Sequence, residues 1–153
     1  MPLNEMQKSQ VRESWTFVED HLENTGVNLY VKLFADHPEL IPLFPFTENR
    51  PVAEMIETKR FRRHAKNVVK TVGAAVNMMD DADKLTRTLE ALATRHIKYG
   101  TKPYMFKHVG EALLWALSER VGDGWTAEVE SAWLTLYGDI VAIMSPMLEA
   151  PSR

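Results

Sequence analysis

Two histidines carry the most chemical information in this chain. His96 closes a run in which Leu85, Leu89 and Leu92 recur at intervals of four, three and four residues, so its imidazole shares one helical face with leucines. His64 holds the same kind of position on an earlier stretch, where Phe61, Val68, Val72, Ala75 and Met79 repeat at helical spacing. An imidazole turned toward an apolar interior must recover its lost hydration from a hydrogen bond or a metal. A single such ring is more often a hydrogen-bonded core residue than a ligand. Two of them, on different helices and preceded by the aromatic pair Phe44 and Phe46, describe a slot suited to a large, flat, apolar cofactor carrying a metal. Neutral imidazole would hold one face of that metal and leave the other for a ligand.

Other chemistries find less support. The absence of cysteine removes disulfides, thiolate catalysis, zinc fingers and iron–sulfur clusters together. A bare zinc site lacks an H-E-x-x-H motif and a third ligand on the two histidine stripes. Asp80, Asp81 and Asp83 lack the glycine and terminal glutamate of a calcium loop and read better as a helix N-terminus. No glycine-rich phosphate loop and no G-x-S-x-G occurs. Gly26, on the apolar side of a helix, suggests two backbones crossing closely, with Ala65 as its counterpart. That crossing would bring Tyr30, one turn on, toward the cavity of His64. The run Lys59, Arg60, Arg62, Arg63, Lys66 and Lys70 reads first as a solvated helix face, from which one or two cations could meet the carboxylates of a bound cofactor.

These residues need helices to position them, and the pattern supplies nothing else. The 153 residues suit one domain, 1–153, with 45% hydrophobic and 25% charged residues, the composition of an ordinary soluble globule. A net charge of −3 argues against general nucleic-acid binding. The start MPLNEMQKSQ has no signal-peptide core, and no apolar stretch is expected to span a membrane, which points to the cytoplasm. Asn4 with Gln7 forms a capping box for a first helix ending near Asp20, with Met6, Val11, Trp15 and Val18 inward. A second helix runs from about Leu22 to His37. Pro38, Pro42, Pro45 and Pro51 then break the chain into turns. Helices follow over roughly Thr58 to Met79 and from the aspartates to His96, stopped by Gly100. Pro103 opens the next, and Thr126 caps the last, whose inward residues are Val129, Trp133, Leu136, Tyr137, Ile140 and Met144. The expected architecture is all-α, about eight helical pieces around one pocket.

With these residues in place, the chain resembles a globin over essentially its whole length, and is most similar to the neuroglobin branch. The likeness rests on Trp15, on Asp36-His37-Pro38-Glu39-Leu40, on Leu43-Phe44, on His64 with Val68 four later, and on Leu92 four before His96. The strings AAV, VGEALLWAL and WLTLYGDIV belong to the neuroglobin pattern. Departures are Tyr30 where that branch usually has Phe, Asn67 where it has Lys, Thr101 where it has Val, and the missing cysteines.

The resemblance implies haem b (iron protoporphyrin IX), with His96 as proximal iron ligand and His64 as the distal residue and alternative sixth ligand. Phe44 would pack on the porphyrin, and Val68, Leu92, Phe106, Val109 and Tyr137 would line the pocket. It implies reversible binding of dioxygen, carbon monoxide and nitric oxide, with His64 and Tyr30 as hydrogen-bond donors and His96 oriented by the carbonyl near Leu92. Oxygen storage or transport by a monomer or weak homo-oligomer is the first expectation, not an enzyme. Nitric oxide dioxygenation, nitrite reduction or gas and redox sensing are the alternatives, any turnover needing an external reductase.

Overall fold

The computed structural model describes residues 3–98 and 101–149, and every regular element among them is helical. In chain order these are α1 (Glu5–Trp15), α2 (Leu22–Asp36), 3-10 turns at Pro38–Leu43 and Pro45–Thr47, and α3 (Val52–Met55). Then come α4 (Lys59–Asn77), α5 (Ala82–Lys98), α6 (Met105–Val121), a 3-10 turn at Gly122–Gly124, and α7 (Ala127–Glu149).

Local chemistry explains most of the boundaries. Asn4 Oδ1 accepts from the Gln7 N–H at 2.8 Å while Gln7 Oε1 accepts from the Asn4 N–H at 3.0 Å, a complete capping box. Thr58 Oγ1 accepts from Phe61 N–H at the start of α4, and Asp81 does the same for Lys84 at α5. Asp80 is not a cap: it pairs with Lys8 at 2.9 Å and Arg12 at 2.6 Å, tying α1 to the start of α5. Thr126 caps α7 through the Val129 N–H.

Four sequence expectations need correcting. α1 stops at Trp15, not near Asp20, because the Thr16 hydroxyl bonds back to the Glu13 carbonyl and the backbone tightens to three-residue turns that still bury Val18. Met6 is 71% exposed: five residues before Val11, it lies about 140° round the helix from the buried stripe. Pro103 precedes α6 in a turn, its carbonyl accepting from Phe106 N–H, and the helix begins two residues later. The membrane expectation also fails as stated, since Ala127–Leu148 is long and apolar enough to cross a bilayer. In this fold Trp133, Leu136 and Met144 of that helix are buried, as α7 packs against α1, α5 and α6. The expected stop at Gly100 lies outside the described residues.

Packing brings the pocket-forming helices together. α2 crosses α4 and α6, and at the first crossing a methyl group on Gly26 would collide with the Ala65 carbonyl, so the two backbones touch there as expected. At the far end Trp133 Nε1 donates to Ser14 Oγ at 2.8 Å, which satisfies two polar groups inside the α1–α7 contact. The buried apolar residues form two clusters. The larger gathers α1, α2, α4, α6 and the start of α7 around Tyr30, Phe46, Phe61 and Ala65; the smaller gathers Leu85, Leu89 and Ala93 of α5 with Ala75 and Met144.

Replacing Gly26 with Ala should overpack the α2–α4 crossing by roughly 1–3 kcal/mol and lower the thermal midpoint by roughly 3–10 °C. An unchanged midpoint in thermal unfolding would mean that the helices do not meet there.

Candidate functional site

His64 lies on α4 and His96 on α5, both partly buried. On α5, His96 Nδ1 sits 2.8 Å from the Leu92 carbonyl. A carbonyl can only accept, so Nδ1 carries a proton, and in the neutral form of the ring it is Nε2 that bears the lone pair. One helical turn, Leu92 to His96, thereby sets both tautomer and ring plane, as the sequence led us to expect.

On α4, His64 is held on two sides. Its Nε2 lies 3.2 Å from the Tyr30 hydroxyl, and its ring stacks on Phe46 at 3.9 Å between centroids with planes 18° apart. Burial is the main reason that its pKa falls to about 4, with His96 and Arg60 adding repulsion to the charged form. His64 is therefore neutral near pH 7, and the two imidazoles are close enough to sense each other's charge. Tyr30 is held in turn by the rings of Phe34, Phe44, Phe46 and Phe61 around it, with edge contacts at 5.2–5.9 Å to the last three. Burial first, and then Tyr137, hold its phenol protonated far above the ordinary range.

The remaining expected pocket residues divide between the two sides. Phe44, Val68, Val109 and Tyr137 are half-buried against the larger cluster, and Leu92 and Phe106 against the smaller. Tyr137 Oη donates to the Phe106 carbonyl at 2.6 Å, and its ring lies over Gly110, where a Cβ would strike it. Its hydroxyl is thus engaged by backbone, while its ring packs on α6.

Two contributors were not legible as such. Phe46 appeared only as one of an aromatic pair, yet it is the plate against which His64 lies; its placing depends on the Pro45–Thr47 turn meeting α4, a contact that no local spacing encodes. Arg60 was one of six cations, and it is the one whose charge reaches His64. Its guanidinium is 4.0 Å from Glu48. Arg62 is committed elsewhere, to Glu23 at 3.3 Å and the Ile56 carbonyl at 2.7 Å.

Among the described residues no three His, Asp or Glu side chains converge to cage a metal. The site has two imidazoles, of His96 and His64, near enough for the charge of one to be felt at the other, with apolar residues packed beside them. That donor set fits a metal which arrives with its own equatorial ligands.

A sequence profile of the globin family matches residues 27–144. The chain belongs to the globin family. Within it the sequence falls in the neuroglobin branch: it is 35% identical over 144 residues to the neuroglobin of Tetraodon nigroviridis, covering 94% of this chain and 91% of that one. It is 34% identical, with the same coverage, to the neuroglobin of Chaenocephalus aceratus. The fold of this globin is also similar to the crystal structure of a hexacoordinated heme protein from an anhydrobiotic tardigrade at pH 4. That likeness has a TM-score of 0.89, 97% coverage of each chain and 22% identity.

The lowered pKa of His64 sets a pH dependence. Between the ordinary value of about 6.5 and the folded value of about 4, the unfolded chain takes up a proton that the folded globin refuses, so stability is lost as pH falls through this window and levels off below it. The loss is at most about 3 kcal/mol for this one group. Urea midpoints at about pH 7 and about pH 4.5 should differ less in His64→Leu than in the unsubstituted globin; equal differences would show that His64 is not the buried group responsible.

Proposed function

We infer that this globin is a haem b protein of the cytoplasm that binds dioxygen reversibly, for storage or transport, and takes carbon monoxide and nitric oxide at the same site. The residues fit the cofactor in their chemistry: the Leu92 carbonyl orients the His96 imidazole through Nδ1, so that Nε2 is the nitrogen that would meet the iron, and the apolar core is divided between two clusters. When bound, haem would supply an iron able to take a diatomic gas reversibly.

The chain's own residues then decide what happens beside that gas. Phe44, Val68, Leu92, Phe106 and Val109 give it apolar walls, which keep water out. Tyr30 and His64 provide the polar side. A hydrogen bond from either to a negatively polarised ligand contributes roughly 1.5–3 kcal/mol, about ten- to hundredfold in affinity.

The observation that carries this reading is the 3.2 Å contact between Tyr30 Oη and His64 Nε2. If the phenol donates, the Nε2 lone pair is occupied. If Nε2–H donates, there is no lone pair on that nitrogen, and the phenol proton is free to meet the gas. In both senses Nε2 is unable to act as a sixth iron ligand until the contact breaks. Breaking it, and the stack on Phe46, costs roughly 1–3 kcal/mol, which favours the open form by roughly five- to hundredfold.

The reduced, gas-free protein should therefore show a five-coordinate visible spectrum; a six-coordinate one would overturn the reading. Tyr30→Phe should raise the dioxygen off-rate several-fold, with a smaller effect on carbon monoxide, and should bring in six-coordinate absorption as His64 is released. Stopped-flow exchange measures the first and the spectrum of the reduced variant the second; an off-rate unchanged by the substitution would remove Tyr30 from the mechanism.

A further inference from the structure

Two of the five histidines meet away from the pocket, where α2 gives way to the first 3-10 turn. His37 caps the C-terminus of α2, and His108 projects from α6. Their ring centroids are 3.8 Å apart with planes tilted by 36°. Nothing in the gas-binding chemistry uses either ring.

The arrangement has two further features that stacking alone leaves unexplained. His108 Nδ1 is buried and has no hydrogen-bond partner among the described residues, a condition that native proteins ordinarily avoid. Beside it, Glu39 Oε2 stands 3.5 Å from His37 Nδ1. That is longer than an ordinary hydrogen bond of about 2.7–3.2 Å, and close to the roughly 2.9–3.4 Å between two donors that share one ion at about 2.0–2.1 Å.

We propose that His37 and His108, with the Glu39 carboxylate beside them, form a surface site for a borderline-soft divalent cation of the Zn2+ class. The contact brings imidazoles of separate elements into one place, where a rotation of the side chains would turn their in-plane lone pairs onto a shared ion. Glu39, 66% exposed, is free to swing onto the ion as a third, and water fills the remaining positions. Imidazole with carboxylate selects Zn2+ or Cu2+ over Mg2+ and Ca2+, which prefer all-oxygen shells. Because the donors are not already arranged as a three-residue cage, the site is weak and exchangeable. An ion there would fasten the chain leading to Phe44 against the helix that carries Phe106 and Val109, and so would stiffen one wall of the gas pocket.

Calorimetric titration of the purified globin with Zn2+ near neutral pH tests this. A single saturable equivalent is expected, weakened at least about tenfold in His37→Gln and in His108→Gln, less in Glu39→Gln, and unchanged in His21→Gln. Mg2+ should give no saturable heat. Circular dichroism checks that each variant is folded; should His108→Gln not fold, His37→Gln at the helix end decides the matter. Absence of saturable Zn2+ heat, or equal affinity in His37→Gln and the unsubstituted chain, would overturn the site and would leave the rings as a stacked pair only. Neither outcome depends on whether the pocket binds haem.

Discussion

The hydrogen bond between the Tyr30 hydroxyl and His64 Nε2 exists only because α2 and α4 touch backbone to backbone. Gly26 against Ala65 brings Tyr30, one turn further along α2, within 3.2 Å of a ring on α4. The aromatic shell of Phe34, Phe44, Phe46 and Phe61 then leaves the phenol little choice of direction. Burial keeps the phenol protonated and the imidazole neutral, so the pair stays one donor and one acceptor across the physiological range. A single glycine thus reaches the chemistry of the pocket through packing.

The opposite side of the pocket is built on a different principle. His96 depends on no long-range crossing for its orientation, since the Leu92 carbonyl that holds it lies one turn back on the same helix. The orientation of His96 is therefore set by α5 itself, whereas the Tyr30–His64 contact is set by the meeting of three segments. The two sides should accordingly differ in tolerance. Repacking of α2 or of the Pro45–Thr47 turn disturbs the Tyr30–His64 pair and leaves the His96–Leu92 hydrogen bond in place.

What was legible in the sequence follows the same division. Features written in local spacing were found: the capping box at Asn4, the inward faces of His64 and His96, the Leu92 carbonyl, and the caps at Asp81 and Thr126. Gly26 with Ala65 was legible because a glycine on the apolar face of a helix costs stability unless a second backbone comes close enough to need the missing side chain. What depends on the third dimension was not. The stack of His64 on Phe46 joins residues brought together by a turn, the reach of Arg60 depends on side-chain direction, and the His37–His108 pair lies on elements far apart along the chain. Met6 misled because its apolar character fits a helix stripe that its angular position does not.

The proposed anchoring of haem by His96 is tested most directly by titrating the haem-free chain with hemin and following the Soret band, for the unsubstituted protein and for His96→Ala. A sharp 1:1 endpoint is expected with His96 present, lost in the alanine variant and restored when free imidazole is added to occupy the space left by the missing ring. A variant that takes up hemin with the same stoichiometry, affinity and spectrum, with no response to imidazole, would contradict it.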